Sequence, residues 1–458
     1  MLEPFHSDQP IPHEKPALVQ RLSTRNDRLH LFQRPALYRV LAGLAVVLSL
    51  VLAAKLPQPR LMRAPDPWAY KLAIENLAQG RWTLSDREMA AGRMQTRLAG
   101  GQLTQYVQVS PHRWALEKGP GFPLLAIPFQ WLGLAHLTNA ALAVIAAVLL
   151  YALITRLYSE PLAAAAVLLL SLAPMSYVAQ GNVWMDTFAS GAVPVIGGSC
   201  YGLYLYSIHR GRPRSILAFM AGLALGWSAL VRLSNLPIAA LCGLHLLWHT
   251  WRRPRTRLIL MGVVTFIAGM ALALGLLASY NQTVFGHPLA LGYTYSPYRI
   301  TFAFGPVMGK PNVPVVGLDG SVAAKLIADN LTRVIQPWLI GFPLLLLALP
   351  GWFVSRQRRS FAGSQSGLIL SRWLLAGWML VVLVPYISFV WMDKLLQQPA
   401  NQGLYFFEVD RYFFPWIFPM LLLASAALAR LPRWATLGLM TLYTVGTLWF
   451  YTRLLPSL

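Results

Sequence analysis

Apolar runs of about twenty residues recur along this chain, and they constrain its fold more tightly than any motif does. Each is long enough to cross a hydrocarbon layer of roughly 30 Å as a helix rising 1.5 Å per residue. The runs fall near residues 38–56, 135–155, 160–179, 187–208, 215–231, 236–250, 258–280, 334–354, 370–392, 412–430 and 434–451, which gives roughly eleven spans. The expected fold class is an all-α polytopic membrane protein.

Composition agrees, with 56% of residues apolar and 12% charged. A net charge of +22 would point to nucleic acid in a soluble chain. Here the bases are dispersed in short clusters between apolar runs, which is how membrane topology is encoded, so nucleic acid is not an expected partner. The cysteines, Cys200 and Cys242, both lie in apolar segments and imply no disulfide framework. Residues 1–37 read as a polar cytoplasmic tail, and residues 38–458 as a transmembrane domain. The first run has no small-residue cleavage site and is expected to be a retained anchor.

Basic clusters occur at His209-Arg210-Gly211-Arg212-Pro213-Arg214, at residues 252–257, at Arg356-Gln357-Arg358-Arg359 and at Arg430-Leu431-Pro432-Arg433. Counting spans places them all on the side of the Arg-rich N-terminus, which the positive-inside rule makes cytoplasmic. The opposite face then receives outer loops near 57–134, 281–333 and 393–411. Residues 215–250 are too long for one span and carry bases at both ends, so the chain must turn near Arg232-Leu233-Ser234-Asn235. Asp66, Glu117, Lys118, Asp186, Arg232, Tyr293 and the segment Glu408-Val409-Asp410-Arg411-Tyr412 are thereby brought to one outer face.

Within the first outer loop, Asp66 reads as an N-cap with Pro67 at the first helical position. Tyr70, Ala73, Ile74 and Leu77 follow at helical spacing, and Gly80 can end the turn. The pattern predicts a short amphipathic helix lying on the membrane. Residues 122–134, punctuated by Pro123 and Pro128, read as a second interfacial segment.

Asp66 after the first span, Asn76-Leu77-Ala78-Gln79-Gly80, Glu117-Lys118 before a Gly/Pro-rich re-entry, and Asp186 opening a later span together resemble the multispanning GT-C glycosyltransferases. Protein O-mannosyltransferases and lipid A aminoarabinose transferases belong to that group. The segments from Asn281 to Pro288, Gly292-Tyr293, and Arg411-Tyr412-Phe413-Phe414-Pro415 look like its bacterial members. The resemblance implies transfer of a sugar from a polyprenyl-phosphate donor to a glycan, lipid or protein acceptor outside the cytoplasmic membrane. It implies an integral, multi-pass protein of the bacterial inner membrane with its N-terminus in the cytoplasm.

Such chemistry needs a carboxylate to take a proton from the attacking hydroxyl and cations to stabilise the departing phosphate. Asp66 is the candidate base, and Asp186, by its match to the family's second acidic residue, a candidate to orient hydroxyls. Lys118, Arg232 and Arg411 are the candidate phosphate partners; Glu117, Tyr293 and Tyr412 are candidate substrate contacts. Many family members carry paired acids in the first loop, whereas Asp66 stands alone between prolines. No metal or other cofactor is therefore expected, with Glu117 the one alternative as a weak divalent-metal ligand.

Each residue also has a plainer reading. Asp66 and Asp186 are good helix caps, Arg232 can hold a hairpin at the headgroups, Lys118 can snorkel, and Arg411 can pair with Asp410 or Glu408. His112 and His287 lack a companion ligand and read as loop residues, and Trp184 as an interfacial ring. The alternative function is a transporter or flippase of a lipid-linked or hydrophobic solute. That reading predicts charges near the bilayer midplane rather than at span ends.

Overall fold

The computed structural model describes residues 35–55, 65–98, 103–181, 183–252, 257–296, 300–303, 305–308, 320–354, 370–390 and 405–454. The basic cluster at 356–359, most of that at 252–257 and the N-terminal tail to residue 34 lie outside them.

Helix α1 (Pro35–Lys55) leads to a polar region built of α2 (Pro65–Ala78), β1 (Leu84–Ser85), α3 (Asp86–Leu98), β2 (Tyr106–Ser110), β3 (Arg113–Leu116) and α4 (Gly121–Trp131). The strands form an antiparallel sheet in the order β1-β3-β2. The apolar series continues with α5 (Thr138–Leu157), α6 (Glu160–Leu172), α7 (Pro174–Gly181), α8 (Thr187–His209), α9 (Ser215–Val231), α10 (Leu236–Arg252) and α11 (Arg257–Phe285). After the hairpin β4 (Ile300–Phe302) and β5 (Gly305–Met308) come α12 (Gly320–Arg333), α13 (Ile335–Gly341), α14 (Leu345–Val354), α15 (Arg372–Ile387), α16 (Tyr405–Asp410), α17 (Ile417–Leu428) and α18 (Arg433–Trp449). An apolar helix, or a bent pair of helices, stands at each expected span.

Among the described residues, four helices are long and apolar enough to cross a membrane, or up to six if each bent pair counts as one span. The expected count of roughly eleven is not confirmed by helix length, because Ser215–Val231, Arg372–Ile387 and Phe414–Leu428 are apolar but shorter. One bend, of 54°, separates α6 from α7 at Pro174; another, of 102°, falls between α13 and α14 at Phe342-Pro343. Proline supplies no backbone N–H and disfavours helical geometry in the residue before it, so an apolar run that looks continuous in sequence breaks there.

Burial runs opposite to that of a water-soluble protein. α8 and α17 form the core, with every residue of α17 buried. α1 and α18 present Leu44, Val47, Val51, Trp434, Leu437 and Leu442 outward. Outward apolar faces of this extent fit contact with lipid tails. α9 and α11 approach closest at glycines: a Cβ at Gly222 would strike the carbonyl oxygen of Phe266, and one at Gly269 that of Phe219. This is the small-residue packing that membrane helices use where apolar burial alone gives no drive to associate.

The polar region corrects two expectations. Helix α2 begins at Pro65, two residues earlier than the capping pattern suggested, so Asp66 lies in its first turn and is not the cap. Tyr70, Ala73 and Ile74 are buried, with Tyr70 edge-on to Phe122 of α4 at 5.6 Å, so the stripe is covered by protein rather than laid on lipid. Gly80 ends the turn as expected, at φ +75° with its N–H on the Leu77 carbonyl. The segment read as a second interfacial piece folds largely as α4, tied back to α2 by Trp131 Nε1 donating to the Ala78 carbonyl at 2.9 Å.

Candidate functional site

The loop between β3 and α4 is seated by glycine. A Cβ at Gly119 would overlap the Leu230 carbonyl oxygen at the end of α9, a Cβ at Gly121 the Leu230–Val231 peptide, and a Cβ at Gly292 the backbone of Glu117. Trp227 Nε1 closes the seat by donating to the Gly121 carbonyl at 3.0 Å. Glu117 and Lys118 are thus fixed against the last turn of α9 and the short helical turn Gly292–Tyr295. Gly292→Ala is expected to cost about 1–3 kcal/mol through backbone overlap, read as a lower unfolding temperature in detergent. Gly275→Ala on α11 has open space and should cost nothing.

At the end of α9 the chain leaves the helix at Arg232, which is extended, and turns through Leu233–Asn235 into α10. Asn235 Nδ2 holds that turn on the carbonyls of Ser190 and Ser228. Asp186 precedes the first turn of α8 but makes no side-chain cap bond. Its carboxylate instead faces Arg232: Nε donates to Oδ2 at 2.9 Å and Nη2 to Oδ1 at 3.2 Å. Arg232 also donates from Nη2 to Thr187 Oγ1 at 3.4 Å and from Nη1 to the Arg411 carbonyl at 2.7 Å. Nearly all of its donors are occupied by protein.

Arg411 is held differently. Nη1 reaches Asp66 Oδ2 at 3.3 Å, while Nη2 reaches the Tyr412 hydroxyl and Glu408 Oε2, both at 3.2 Å. These contacts are long and none is bidentate, and Nε is buried without a partner. Arg411 pairs with Glu408 as one plain reading allowed, and not with Asp410, which is fully buried against Gly341. Burial raises the Asp410 carboxyl well above the usual range.

Asp66 is buried, and burial alone would raise its carboxyl. The fields of Lys118, Arg411 and Arg232 outweigh that and hold it below the ordinary carboxylate range. Burial likewise works against the charge on Lys118, and the carboxylate of Asp66 overcomes it, keeping the ammonium firmly protonated. Its Nζ lies 5.6 Å from the Tyr293 ring centroid and makes no ion pair or hydrogen bond with protein among the described residues. Glu117 accepts from Ser296, and burial pushes its carboxyl up. Burial also pushes the Tyr293 phenol up to about 12.

Lys118, Glu117, Arg232 and Tyr293 line a small cleft whose other wall is apolar, from Ala229, Val231, Leu277, Phe285 and Leu291. The structure brings Asp66, Lys118, Asp186, Arg232, Arg411 and Tyr412 together, with Glu117 and Tyr293 at the cleft side. Tyr412 lies under the guanidinium groups of both Arg411 (5.0 Å) and Arg232 (5.6 Å).

Two further residues belong here. Tyr70 is buried and feels the charges of Asp186, Asp66 and Arg232. Its signal was its position one helical turn after Asp66, which places both on one face. Tyr386, whose ring lies 4.9 Å from Tyr412 and whose hydroxyl meets Ser234 at 2.5 Å, was hidden at the end of an apolar run. Trp184 stands outside this cluster, 5.9 Å from Lys71 Nζ. His112 pairs with Asp86 on an exposed turn, also away from it. Among the described residues, no three His, Cys, Asp or Glu side chains stand close enough to share a metal ion.

No family model matches the chain, and no curated protein matches it. Among solved structures it is similar to ArnT from Cupriavidus metallidurans bound to undecaprenyl phosphate, at 16% identity and a TM-score of 0.48, over 89% of this chain and 62% of that one. It is also similar to the oligosaccharyltransferase of Archaeoglobus fulgidus in the apo form, at 13% identity and a TM-score of 0.45, over 91% of this chain and 55% of that one. The chain thus spans less than two thirds of the length of either.

Proposed function

We propose that this protein transfers a sugar from a polyprenyl-phosphate-linked donor to an acceptor on the extracytoplasmic face of the membrane. The observation that carries the reading is a buried carboxylate, Asp66, flanked by two cations that still have donors to offer, Lys118 Nζ and Arg411 Nε. An ammonium with no ion pair or hydrogen bond among the described residues, in a partly buried site, calls for an anion, and an apolar wall beside it suits a lipid-borne one.

In the reaction, Asp66 takes the proton of the attacking acceptor hydroxyl as its oxygen bonds to the sugar's anomeric carbon. The bond from that carbon to the phosphate oxygen breaks, and polyprenyl phosphate leaves with the electron pair, its charge met by Lys118 and Arg411. Arg232 and Asp186 contribute by holding the Arg411 backbone in place. Glu117, Tyr293 and Tyr412 line the sugar's surroundings.

The test supplies purified protein in lipid nanodiscs with radiolabelled polyprenyl-phosphate hexoses and pentoses and a panel of glycan, lipid and peptide acceptors. Label should move to one acceptor class and free polyprenyl phosphate should accumulate in equal amount. No transfer from any lipid donor, with movement of labelled lipid across the bilayer when the protein is placed in sealed liposomes, would favour the transport reading.

A further inference from the structure

We infer that the Asp66–Arg411 ion pair is a resting contact that the donor phosphate breaks, so that Arg411 exchanges the carboxylate for the phosphate and Asp66 is released as a base only when donor is bound. The inference rests on the transferase reading above and adds an order of events to it.

The two arginines of the site are held in opposite ways. Arg232 grips both oxygens of Asp186, at 2.9 and 3.2 Å, and its Nη1 pins the Arg411 carbonyl at 2.7 Å. The Arg411 backbone is therefore fixed. Its side chain has slack: a single 3.3 Å contact to Asp66, others at 3.2 Å to Glu408 and Tyr412, and a buried Nε with no partner. A guanidinium anchored at its own backbone and loosely held at its tip can swing by side-chain rotation alone. Glu408, one helical turn earlier, can stay with one Nη2 hydrogen as Nη1 leaves Asp66, and the Tyr412 hydroxyl gives up the other to complete the fork on phosphate.

The chemistry asks for such an exchange. A carboxylate hydrogen-bonded to an arginine has one oxygen engaged and its affinity for protons lowered. In that state it is a poor acceptor for an alcohol proton. An incoming phosphate offers Arg411 a planar pair of oxygens, which a guanidinium fork matches better than one carboxylate oxygen. Asp66 then keeps Lys118 and Arg232 as its cations and loses its direct hydrogen bond. Without donor the base stays masked, so water or acceptor entering an empty site meets no free carboxylate.

Competition of this kind has a signature in binding, independent of turnover. With undecaprenyl phosphate as the probe, Asp66→Asn should bind about tenfold more tightly than wild type, because the rival for Arg411 is gone. Removing a negative charge near a phosphate would tighten binding by field alone, so the comparison is repeated with Arg411 replaced. In an Arg411→Gln background, and in the milder Arg411→Lys, the gain from Asp66→Asn should largely vanish. The measurement is isothermal titration calorimetry in detergent, with unfolding temperature recorded for each variant. Equal or weaker binding by Asp66→Asn, or a gain that persists undiminished without Arg411, overturns the exchange and leaves the transferase reading standing. Failure of wild type and every variant to bind undecaprenyl phosphate overturns both.

Discussion

Asp66→Asn is expected to reduce sugar transfer by about 10²–10⁴-fold while the protein remains folded and inserted. The amide matches the carboxylate in shape and can still take part in hydrogen bonding in the first turn of α2. It is, however, a far weaker proton acceptor. Because α2 begins at Pro65, the substitution removes no helix cap, and a large loss of folded protein would not follow from loss of capping. The rate is read on purified enzyme with lipid-linked donor, alongside the unfolding temperature. Near-normal turnover would rule Asp66 out as the base.

The pH profile refines the same prediction. In the empty site, burial raises the Asp66 carboxyl, but Lys118, Arg411 and Arg232 more than compensate and hold it below its usual range. A group so depressed stays ionised as pH rises from its lowered value, so kcat/KM for the donor, which reports the free enzyme, should show no acid limb between about pH 5 and 8. The kcat profile reports the loaded enzyme, where Arg411 has turned to phosphate and the carboxylate is less stabilised. Its acid limb should lie at higher pH. Coincident acid limbs at limiting and saturating donor would count against the change of partner.

The second large effect concerns Lys118. Lys118→Met preserves the apolar stem and removes the charge, and it should raise the KM for donor about ten- to hundred-fold, with little change in the KM for acceptor. Among the described residues nothing contacts this ammonium by an ion pair or hydrogen bond, so its removal deletes a ligand contact, while Asp66 keeps Arg411 and Arg232 as its cations. Arg411→Lys should recover only part of the donor affinity lost in Arg411→Gln, since a point charge cannot reproduce a two-pronged contact. Donor varied at fixed acceptor, then acceptor at fixed donor, separates the cases. Equal defects on both axes would argue that these cations shape the site generally rather than bind phosphate.

The helices were largely legible in the chain because apolar length is a local property. Each expected span meets an apolar helix, and the hairpin through Arg232 turns where its flanking bases required. The bends at Pro174 and Pro343 were less legible, because the apolar run continues through both prolines and conceals the change of direction. The residues of the site could be gathered onto one face by counting spans, but not ranked. Asp186 and Arg232 are locked together, whereas Lys118 makes no ion pair or hydrogen bond among the described residues and is balanced by Asp66 only through its field, and neither fact follows from residue type or spacing. Tyr70 and Tyr386 passed as apolar filling, since a phenol near charges has the same sequence context as one in a core.

The seat of Lys118 on the last turn of α9 links the site to something outside the protein. α9 is about 25 Å long at 1.5 Å per residue, less than an average hydrocarbon layer, and it packs backbone to backbone on α11 at Gly222 and Gly269. A helix shorter than its surroundings adjusts when the membrane thickens or thins. Because Gly119 and Gly121 rest directly on its final peptide, any such adjustment would carry the ammonium with it relative to the carboxylate on α2. The acyl-chain length of the host lipid would then be a setting of the proposed site's geometry.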